Sequence, residues 1–351
     1  MRSPTRILTV LIATASLAGT ACIRRVKEPE LLHVNDPIPT KTLVGRINSY
    51  SDVETFSAQS SIYVKAFFGA SDAAEYPAGN LSIRLQRPDR IRMLVTAPAP
   101  LTRSIADMTS DGKQFRLAIY YPTDKRAFIY GSNLGDYKRM NEKELKDSAD
   151  ARLRNAGALA NIRPQHVTDA FLVRPIKDDG RTQFFREELT QLEPEDRAAK
   201  KGRIVRRTYY VVYVLDRLDD GKNALRRKFW FDRTKAGTPL VRQQTFENGE
   251  GKLGSDISYI GDFAFDGNKR SWPGTTVIER LNDGYSISVE VDSETLRINS
   301  ELPSTAFVLE NYEQMKAIDL DEPGKAEAES QRKRPSPSAK RAQKHLRPSA
   351  L

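Results

Sequence analysis

Residues 81–95 read LSIRLQRPDRIRMLV, and this stretch decides the fold class. Apolar residues occupy every second position on both sides of a turn at residues 87–90: Leu81, Ile83 and Leu85 before it, and Ile91, Met93 and Val95 after it. A period of two residues is typical of a strand that buries one face. The stretch therefore predicts a β-hairpin with one apolar face.

The same alternation continues along most of the chain. The turn at residues 110–113 contains Asp-Gly between two alternating runs, which is a strong hairpin signal. Further runs predict strands over 62–67, 115–119, 126–130, 182–189, 204–215, 226–231, 240–246, 253–265, 275–281 and 285–298. About a dozen strands with few long connections favour an antiparallel sheet that is strongly curved.

Two segments break this rhythm with apolar residues at helical spacing. Residues 40–50 place Leu43, Val44, Ile47 and Tyr50 on one side of a predicted opening helix. Residues 141–172 predict a helical insert, and the charged run at 193–203 is typical of a solvated loop. We therefore expect a mainly β domain over residues 40–323 with a few helices.

The N-terminus has the layout of an export signal. Arg2 and Arg6 precede an apolar stretch at residues 7–17, and small residues lead to Cys22, the only cysteine in the chain. Residues 1–21 are therefore interpreted as a signal peptide and residues 22–39 as a linker. An ordinary cleaved signal and an uncleaved anchor are the alternatives, although the apolar stretch falls short of the ~20 residues that span a bilayer.

This signal resembles the bacterial lipobox, with Gly19 where leucine usually stands. The resemblance implies that the thiol of Cys22 is lipidated and that Cys22 becomes the first residue of the mature protein. Two or more acyl chains anchor a protein stably, so the body would stay on a membrane surface in the periplasm. Ile23 stands where an aspartate marks inner-membrane retention in some bacteria, which favours the outer membrane.

The net charge of +10 is concentrated at the two ends of the chain. Residues 324–351 carry eight Lys or Arg and two Glu, while residues 1–21 carry two Arg and no acid. Only +2 remains for residues 22–323, so the body has no basic stripe and we expect no nucleic-acid partner. The tail is expected to be disordered. It either binds anionic envelope polymers or headgroups, or is a solvated tail without a partner.

Motifs for catalysis, metals and cofactors are absent from the sequence. One cysteine excludes a disulfide within the chain, and the three histidines, His33, His166 and His345, form no two-histidine metal motif. Residues 249–254 fit the G-x-G-x-x-G pattern but join two predicted strands, so they are interpreted as a hairpin loop. We expect no metal, no cofactor and no enzymatic activity. A hydrolase that uses His166 is a distant alternative.

Several short motifs, in this order, resemble the LolA/LolB-like superfamily of lipoprotein carriers. They are residues 56–58, 85–93, 110–115 and 296–299, followed by Leu302-Pro303 and Phe307, and together they span about residues 40–312. The resemblance implies an incomplete, unclosed antiparallel β-barrel with a helical lid. It also implies that an apolar concave face holds acyl chains of lipoproteins or other lipids. The chain differs from the family in its length, its insert at 141–203 and its basic tail.

The inward side of the predicted sheet supplies the candidate lipid-binding residues. By strand parity these are Ile62, Val64, Leu81, Ile83, Leu85, Ile91, Met93, Val95, Phe115, Leu117, Phe229 and Phe231. Packing in a solid core is the alternative for each of them. Family members also have an apolar loop that touches the bilayer, which corresponds here to residues 97–101, with Pro100 stiffening the loop and Leu101 at its tip.

These observations predict a monomeric, lipid-anchored envelope protein that binds lipid or acylated lipoprotein cargo without covalent chemistry. Helices within residues 141–172 would gate access to the cargo. The alternative is a structural lipoprotein with a solid β core, whose basic tail binds envelope polymers or a protein partner.

Overall fold

The computed structural model describes residues 28–67, 73–121, 123, 126–133, 161–196, 202–247, 251–265, 270–315 and 317–321. The predicted signal peptide, Cys22, much of the predicted helical insert and the basic tail lie outside the described residues.

Sixteen strands in the described ranges belong to one hydrogen-bonded sheet. They are β1 (Glu30–Leu31), β2 (Thr55–Phe67), β3 (Ala73–Gln86), β4 (Arg90–Thr96), β5 (Ser104–Asp111), β6 (Gln114–Ile119), β7 (Ala127–Ser132), β8 (Thr182–Pro194), β9 (Ile204–Arg217), β10 (Asn223–Asp232), β11 (Leu240–Glu247), β12 (Lys252–Phe265), β13 (Arg270–Arg280), β14 (Tyr285–Val291), β15 (Arg297–Ile298) and β16 (Ala317–Asp319).

The strand order is β1-β9-β10-β11-β12-β13-β14-β2-β3-β4-β5-β6-β7-β16, with β8 also paired to β9 and β15 also paired to β2. The pairs β1–β9 and β7–β16 are parallel, and the pairs between consecutive long strands are antiparallel. Hydrogen bonds do not close the ladder between its two ends. The prediction of a mainly β chain with one large, curved, unclosed antiparallel sheet is therefore confirmed.

The hairpin predicted from residues 81–95 forms. Leu81 pairs with Val95, Ile83 with Met93, and Leu85 with Ile91. Directly paired residues point to the same face of a sheet, so these six side chains form one apolar surface. The Asp-Gly turn at residues 111–112 also forms, and Gly112 has a φ of 95°, which favours glycine.

Two short helices cover the face that we call the inner face of the sheet. Helix α1 (Thr40–Ser49) follows Pro39 and buries Leu43 and Ile47. Helix α2 (Pro164–Phe171) begins with proline, whose fixed φ suits a first helical turn, and it is the helix described within the predicted insert. It buries its face with Val167, Ala170 and Phe171.

The apolar core has two main parts beneath these helices. The larger part joins α2 to β2, β3, β4 and β14, and the smaller part joins α1 to β9 and β10. A third cluster, which includes Tyr209, Val211 and Trp230, lies on the opposite face of β9 and β10. Strand β9 is therefore buried on both faces over residues 209–212, as its continuous apolar run predicts.

Some boundaries differ from those predicted. Strand β8 continues to Pro194, inside the run predicted as a solvated loop, because it pairs with β9 over its full length. The strand predicted over 285–298 is split, since a turn in which Thr295 N–H donates to Asp292 O separates β14 from β15. The predicted linker contains β1, whose pairing with β9 has no local signal in the sequence.

Candidate functional site

A cleft opens at one end of the sheet between α1 and strands β10 to β13. Its volume is about 670 Å³, and it lies between Arg46 and Tyr50 on one side, the turn at residues 235–239 on another, and Trp272 at the start of β13. The sequence places these parts far apart. Only the curvature of the sheet, with α1 packed on its inner face, brings them together.

A small second space of about 50 Å³, which we call the inner pocket, adjoins the cleft. Tyr50, Leu240 and Trp272 line both spaces. The inner pocket ends among Phe171 of α2 and Tyr259 of β12. Its walls combine aromatic and aliphatic side chains with polar ones.

Aromatic rings connect the elements around the cleft. The ring of Trp272 stacks on Phe56 of β2 at 5.2 Å between centroids, and it meets Tyr50 edge-on at 6.3 Å. Phe56 in turn contacts Phe171 at 5.3 Å. Such contacts stabilise the fold beyond the burial of the rings, so we expect this wall of the cleft to be rigid.

Polar groups lie at the rim of the cleft and also along the inner pocket, whose wall includes Lys235, Asp262, Ser271 and Thr276. The guanidinium of Arg46 donates to the carbonyl of Thr238 at 3.0 Å, which ties α1 to the β10–β11 turn. The hydroxyl of Tyr259 donates to Ala170 O at 2.9 Å. Burial raises the pKa of Tyr259 well above its usual value, and burial followed by the charge of Asp262 raises the pKa of Tyr50. Both hydroxyls therefore stay protonated at neutral pH.

Arg87, in the turn between β3 and β4, holds the two helices together. Its guanidinium donates to the carbonyls of Tyr50 and Val53, just after α1, at 3.0 and 2.8 Å. It also donates to those of Leu172 and Val173, just after α2, at 3.3 and 3.1 Å. The helical layer beside the cleft is thus fixed to the sheet through one side chain.

Asn48 makes a second link between the helical segments. Its side-chain amide donates to Ile176 O at 3.1 Å and accepts from Ile176 N–H at 2.7 Å. The pair closes like a short piece of antiparallel sheet, so α1 and the chain after α2 are expected to move together.

The twelve residues predicted to line a cavity lie in the interior of the fold. Nine belong to or pack against the core beneath α2: Ile62, Val64, Leu81, Ile83, Leu85, Ile91, Met93, Val95 and Leu117. Phe229 and Phe231 lie in the core beneath α1. Phe115 is buried beneath the guanidinium of Arg163 at 5.4 Å. Of the twelve, Phe231 lines the cleft.

Sequence reasoning did not select Tyr50, Leu240, Tyr259 and Trp272 as site residues. Tyr50 ends a helical pattern, Leu240 and Tyr259 lie in ordinary strands, and only Trp272 carried a local signal. It stands among charged and turn-forming residues in the run NKRSWPG, where a large aromatic side chain has no obvious strand partner.

The loop predicted to contact a membrane joins β4 and β5. Leu101 has 64% of its surface exposed, and Pro100 before it is exposed as well. Ala97 N–H donates to Arg103 O at 2.8 Å, which closes the base of the loop. Arg103 lies over the ring of Tyr121 at 3.6 Å. The tip is therefore an aliphatic side chain with a cation and an aromatic ring at its base.

His166 faces the hydroxyl of Tyr285, and the two rings are stacked. Burial, together with the charges of Arg280 and Arg163, lowers the pKa of His166 well below 6.5. Burial also raises the pKa of Tyr285, so both groups are neutral. The pair links α2 to β14 in the interior of the fold, where Tyr285 is completely buried.

Among the described residues, no three His, Cys, Asp or Glu side chains come close enough to hold a metal ion. Over those residues, no helix is both long and apolar enough to cross a bilayer.

No family model matches the sequence, and a search of curated proteins found no match. Three solved structures are similar to the chain. One is a domain from Vibrio parahaemolyticus named for outer membrane lipoprotein sorting, with 10% identity over 76% of this chain and 94% of that one and a TM-score of 0.36. Another, of a DUF1329 family protein from Desulfovibrio piger, has 11% identity, coverage of 80% and 100%, and a TM-score of 0.40.

The third is a LolA superfamily protein from Nitrosomonas europaea, with 13% identity, coverage of 76% and 97%, and a TM-score of 0.37. The chain is similar to LolA superfamily structures.

Proposed function

We propose that this chain is a lipid-anchored protein of the bacterial envelope that binds an acyl chain of a lipid or lipoprotein in the cleft between α1 and β10 to β13. The observation that carries the proposal is the cleft itself, with its aromatic inner wall at Tyr50, Phe171 and Trp272. Its volume of about 670 Å³ falls in the range typical of small-molecule sites.

The arrangement of polar and apolar groups suits an amphiphile. An acyl chain that enters the cleft leaves water at a gain of about 25 cal/mol per Å² of apolar surface. A headgroup would remain at the rim beside Arg46, which lines the outer part of the cleft. Binding needs no covalent step, and release needs only a partner that offers the chain a more apolar environment.

Tryptophan fluorescence can test the site directly, because the chain contains two tryptophans, Trp230 and Trp272. Trp230 lies in the cluster on the opposite face of the sheet, while Trp272 lines the cleft. In a Trp230→Phe variant, a fatty acid brominated along its chain should quench Trp272 in a saturable manner, since bromine acts at contact distance.

The matched control is Trp272→Phe, which leaves Trp230 as the reporter and should show no saturable quenching. Equal quenching of the two variants, or none in either, would show that the acyl chain does not occupy this cleft.

The second candidate function is a structural lipoprotein with a solid core. It is favoured by the burial of the twelve predicted cavity residues, whose side chains fill the space between the sheet and the helices. The quenching experiment separates the two candidates, because a protein with a purely structural role would bind no brominated acid in the cleft. In that case the basic tail at residues 324–351 would supply the contacts with envelope polymers.

The remaining parts of the proposal concern location. Lipidated Cys22 would hold the monomeric protein on the periplasmic side of the outer membrane, and the loop with Pro100 and Leu101 would touch a bilayer. The export signal supports the first part, and the exposure of Leu101 supports the second.

A further inference from the structure

We infer that the protein rests on its own anchoring membrane through the corner where β1 meets β8 and β9, and that this contact turns the mouth of the cleft towards the bilayer. The corner is formed by Leu31, Leu192 and Ile204, and we call it the docking corner. The inference rests on the proposed function, which supplies the lipid anchor at Cys22.

The three side chains of the docking corner lie on one face of the sheet. Leu31 of β1 and Leu192 of β8 are both paired with Arg206 of β9, one from each side. Ile204 stands two residues before Arg206 and therefore points to the same face. The exposed fractions are 52% for Leu31, 64% for Leu192 and 45% for Ile204. Three large aliphatic side chains are thus exposed together.

A short tether would keep this corner near the membrane. Only six residues lead from Cys22 to Glu28, where the described chain begins. An extended chain of that length reaches at most ~20 Å. Beyond it the chain is fixed, because Leu32 N–H donates to Arg206 O at 3.0 Å and Glu28 pairs with Arg206 at 2.6 Å.

The docking corner is also close to the mouth of the cleft. Four residues after Leu31, Asn35 N–H donates to Arg233 O at 2.9 Å, and its side chain donates to the carbonyls of Arg233 and Lys235. Lys235 lines the cleft. Four residues span at most ~14 Å, so Leu31 lies within about that distance of the residue that is hydrogen-bonded to Lys235.

The chemistry of the corner favours a lipid surface over an acidic protein. Its cations are already neutralised, because Arg206 pairs with Glu28 and Arg203 pairs with Glu30 at 3.3 Å. What remains is aliphatic surface, which partitions into the boundary between headgroups and acyl chains. The consequence is a direct path for an acyl chain between the bilayer and the cleft.

The test uses the full lipidated chain in vesicles of phosphatidylethanolamine and phosphatidylglycerol. Lipidation consumes the thiol of Cys22, the only native cysteine, so a new cysteine can be labelled alone. A polarity-sensitive dye at Leu192→Cys should report an apolar environment and be quenched by brominated lipid. The matched control is Leu281→Cys, because Leu281 has 63% of its surface exposed in the turn between β13 and β14, and its dye should stay in water.

Flotation of the vesicles separates the two levels of the proposal. A chain that floats while the dye at residue 192 remains in water overturns the docking corner and leaves the anchor intact. A chain that does not float overturns the anchor and the orientation that depends on it.

A second variant links the corner to transfer. Leu31→Glu combined with Leu192→Glu should slow the quenching of Trp272 by brominated lipid supplied in vesicles roughly tenfold, whereas quenching by free brominated fatty acid should be unchanged. Leu281→Glu is the control and should alter neither rate. Equal rates in the double variant and the wild type would overturn the inference.

Discussion

The guanidinium of Arg87 illustrates how one residue can organise a helical layer. It donates hydrogen bonds to four backbone carbonyls, two after α1 and two after α2, and it lies in a turn that belongs to neither helix. Burial lowers the pKa of Arg87 from its usual value, but the side chain stays charged at neutral pH. A charged donor makes stronger hydrogen bonds than a neutral one, so this residue links cleft geometry to stability.

Replacing Arg87 with alanine should lower the free energy of unfolding by about 2–3 kcal/mol, because four carbonyls lose a charged donor. The same change should loosen both helices and speed hydrogen exchange in α1 and α2. Urea unfolding and hydrogen exchange would measure the two effects.

The control is Arg90→Ala in the same turn. Arg90 contacts Gln86 Oε1 at 3.4 Å, so its loss should cost much less. Equal destabilisation by the two variants would contradict the role given to Arg87.

His166 makes stability depend on pH. The unfolded chain takes up a proton on this imidazole near pH 6.5, whereas burial and the nearby Arg280 and Arg163 delay protonation of the folded chain to much lower pH. Unfolding therefore binds a proton below about pH 6.5, and the folded state loses stability as the pH falls.

The expected loss from His166 is about 1 kcal/mol per pH unit below pH 6.5. His166→Asn keeps a polar atom near Tyr285 without the titration, so the difference in melting temperature between wild type and variant should shrink or reverse as the pH falls from 7 to 5. Burial raises the pKa of Asp107 and Asp169, which gives the opposite slope in both proteins and cancels in the difference. A difference that is constant with pH would rule out His166 as the source.

Among the elements, the loop between β4 and β5 combines a rigid base with an exposed aliphatic tip. Leu101 makes little contact with the core, since 64% of its surface is exposed. By strand register the loop lies at the opposite end of β4 from the turn that carries Arg87. The loop is the second surface that we propose for contact with lipid.

Leu101→Glu should leave the melting temperature nearly unchanged, because an exposed side chain contributes little to the core. If the loop contacts a bilayer, the variant should bind vesicles more weakly and deliver lipid more slowly. Vesicle flotation of the protein without its acyl anchor measures the binding. Thr102→Glu next to it tests whether charge alone matters, and equal effects of the two changes would argue against insertion of Leu101.

Elements with a local signal could be predicted, and those that depend on distant partners could not. Leu81 to Val95 specify their hairpin through their own alternation and turn. Strand β1 has two residues and exists because β9 lies beside it. The break between β14 and β15 falls at residues 292–295, where the chain forms the turn at Asp292 and the apolar alternation is interrupted by four polar residues. The local alternation of apolar residues therefore predicts the long strands of the sheet. Pairing with distant strands determines where some of those strands begin and end.

At the scale of the whole molecule, the residues selected by strand parity are buried or pack against the core, and their role in binding lipid stays a prediction. Parity states which face a residue belongs to, and the volume between the sheet and the helices decides whether that face is filled. Here the predicted residues fill it. The cleft arises where α1, the β10–β11 turn and β13 come together. No residue pattern within any one of these elements predicts that they are neighbours in the fold.

The pairing of β2 with β14 has a consequence for how the protein is made. It joins residues 60–66 to residues 285–291. The second edge of β2, the first long strand of the body, is therefore paired only after β14, one of the last strands, is present. If the chain were translocated from its N-terminus, this edge of β2 would stay unpaired during most of the translocation. Unpaired strand edges can pair with other chains. If the chain is exported as proposed, this edge would stay uncovered until residue 291 had been delivered.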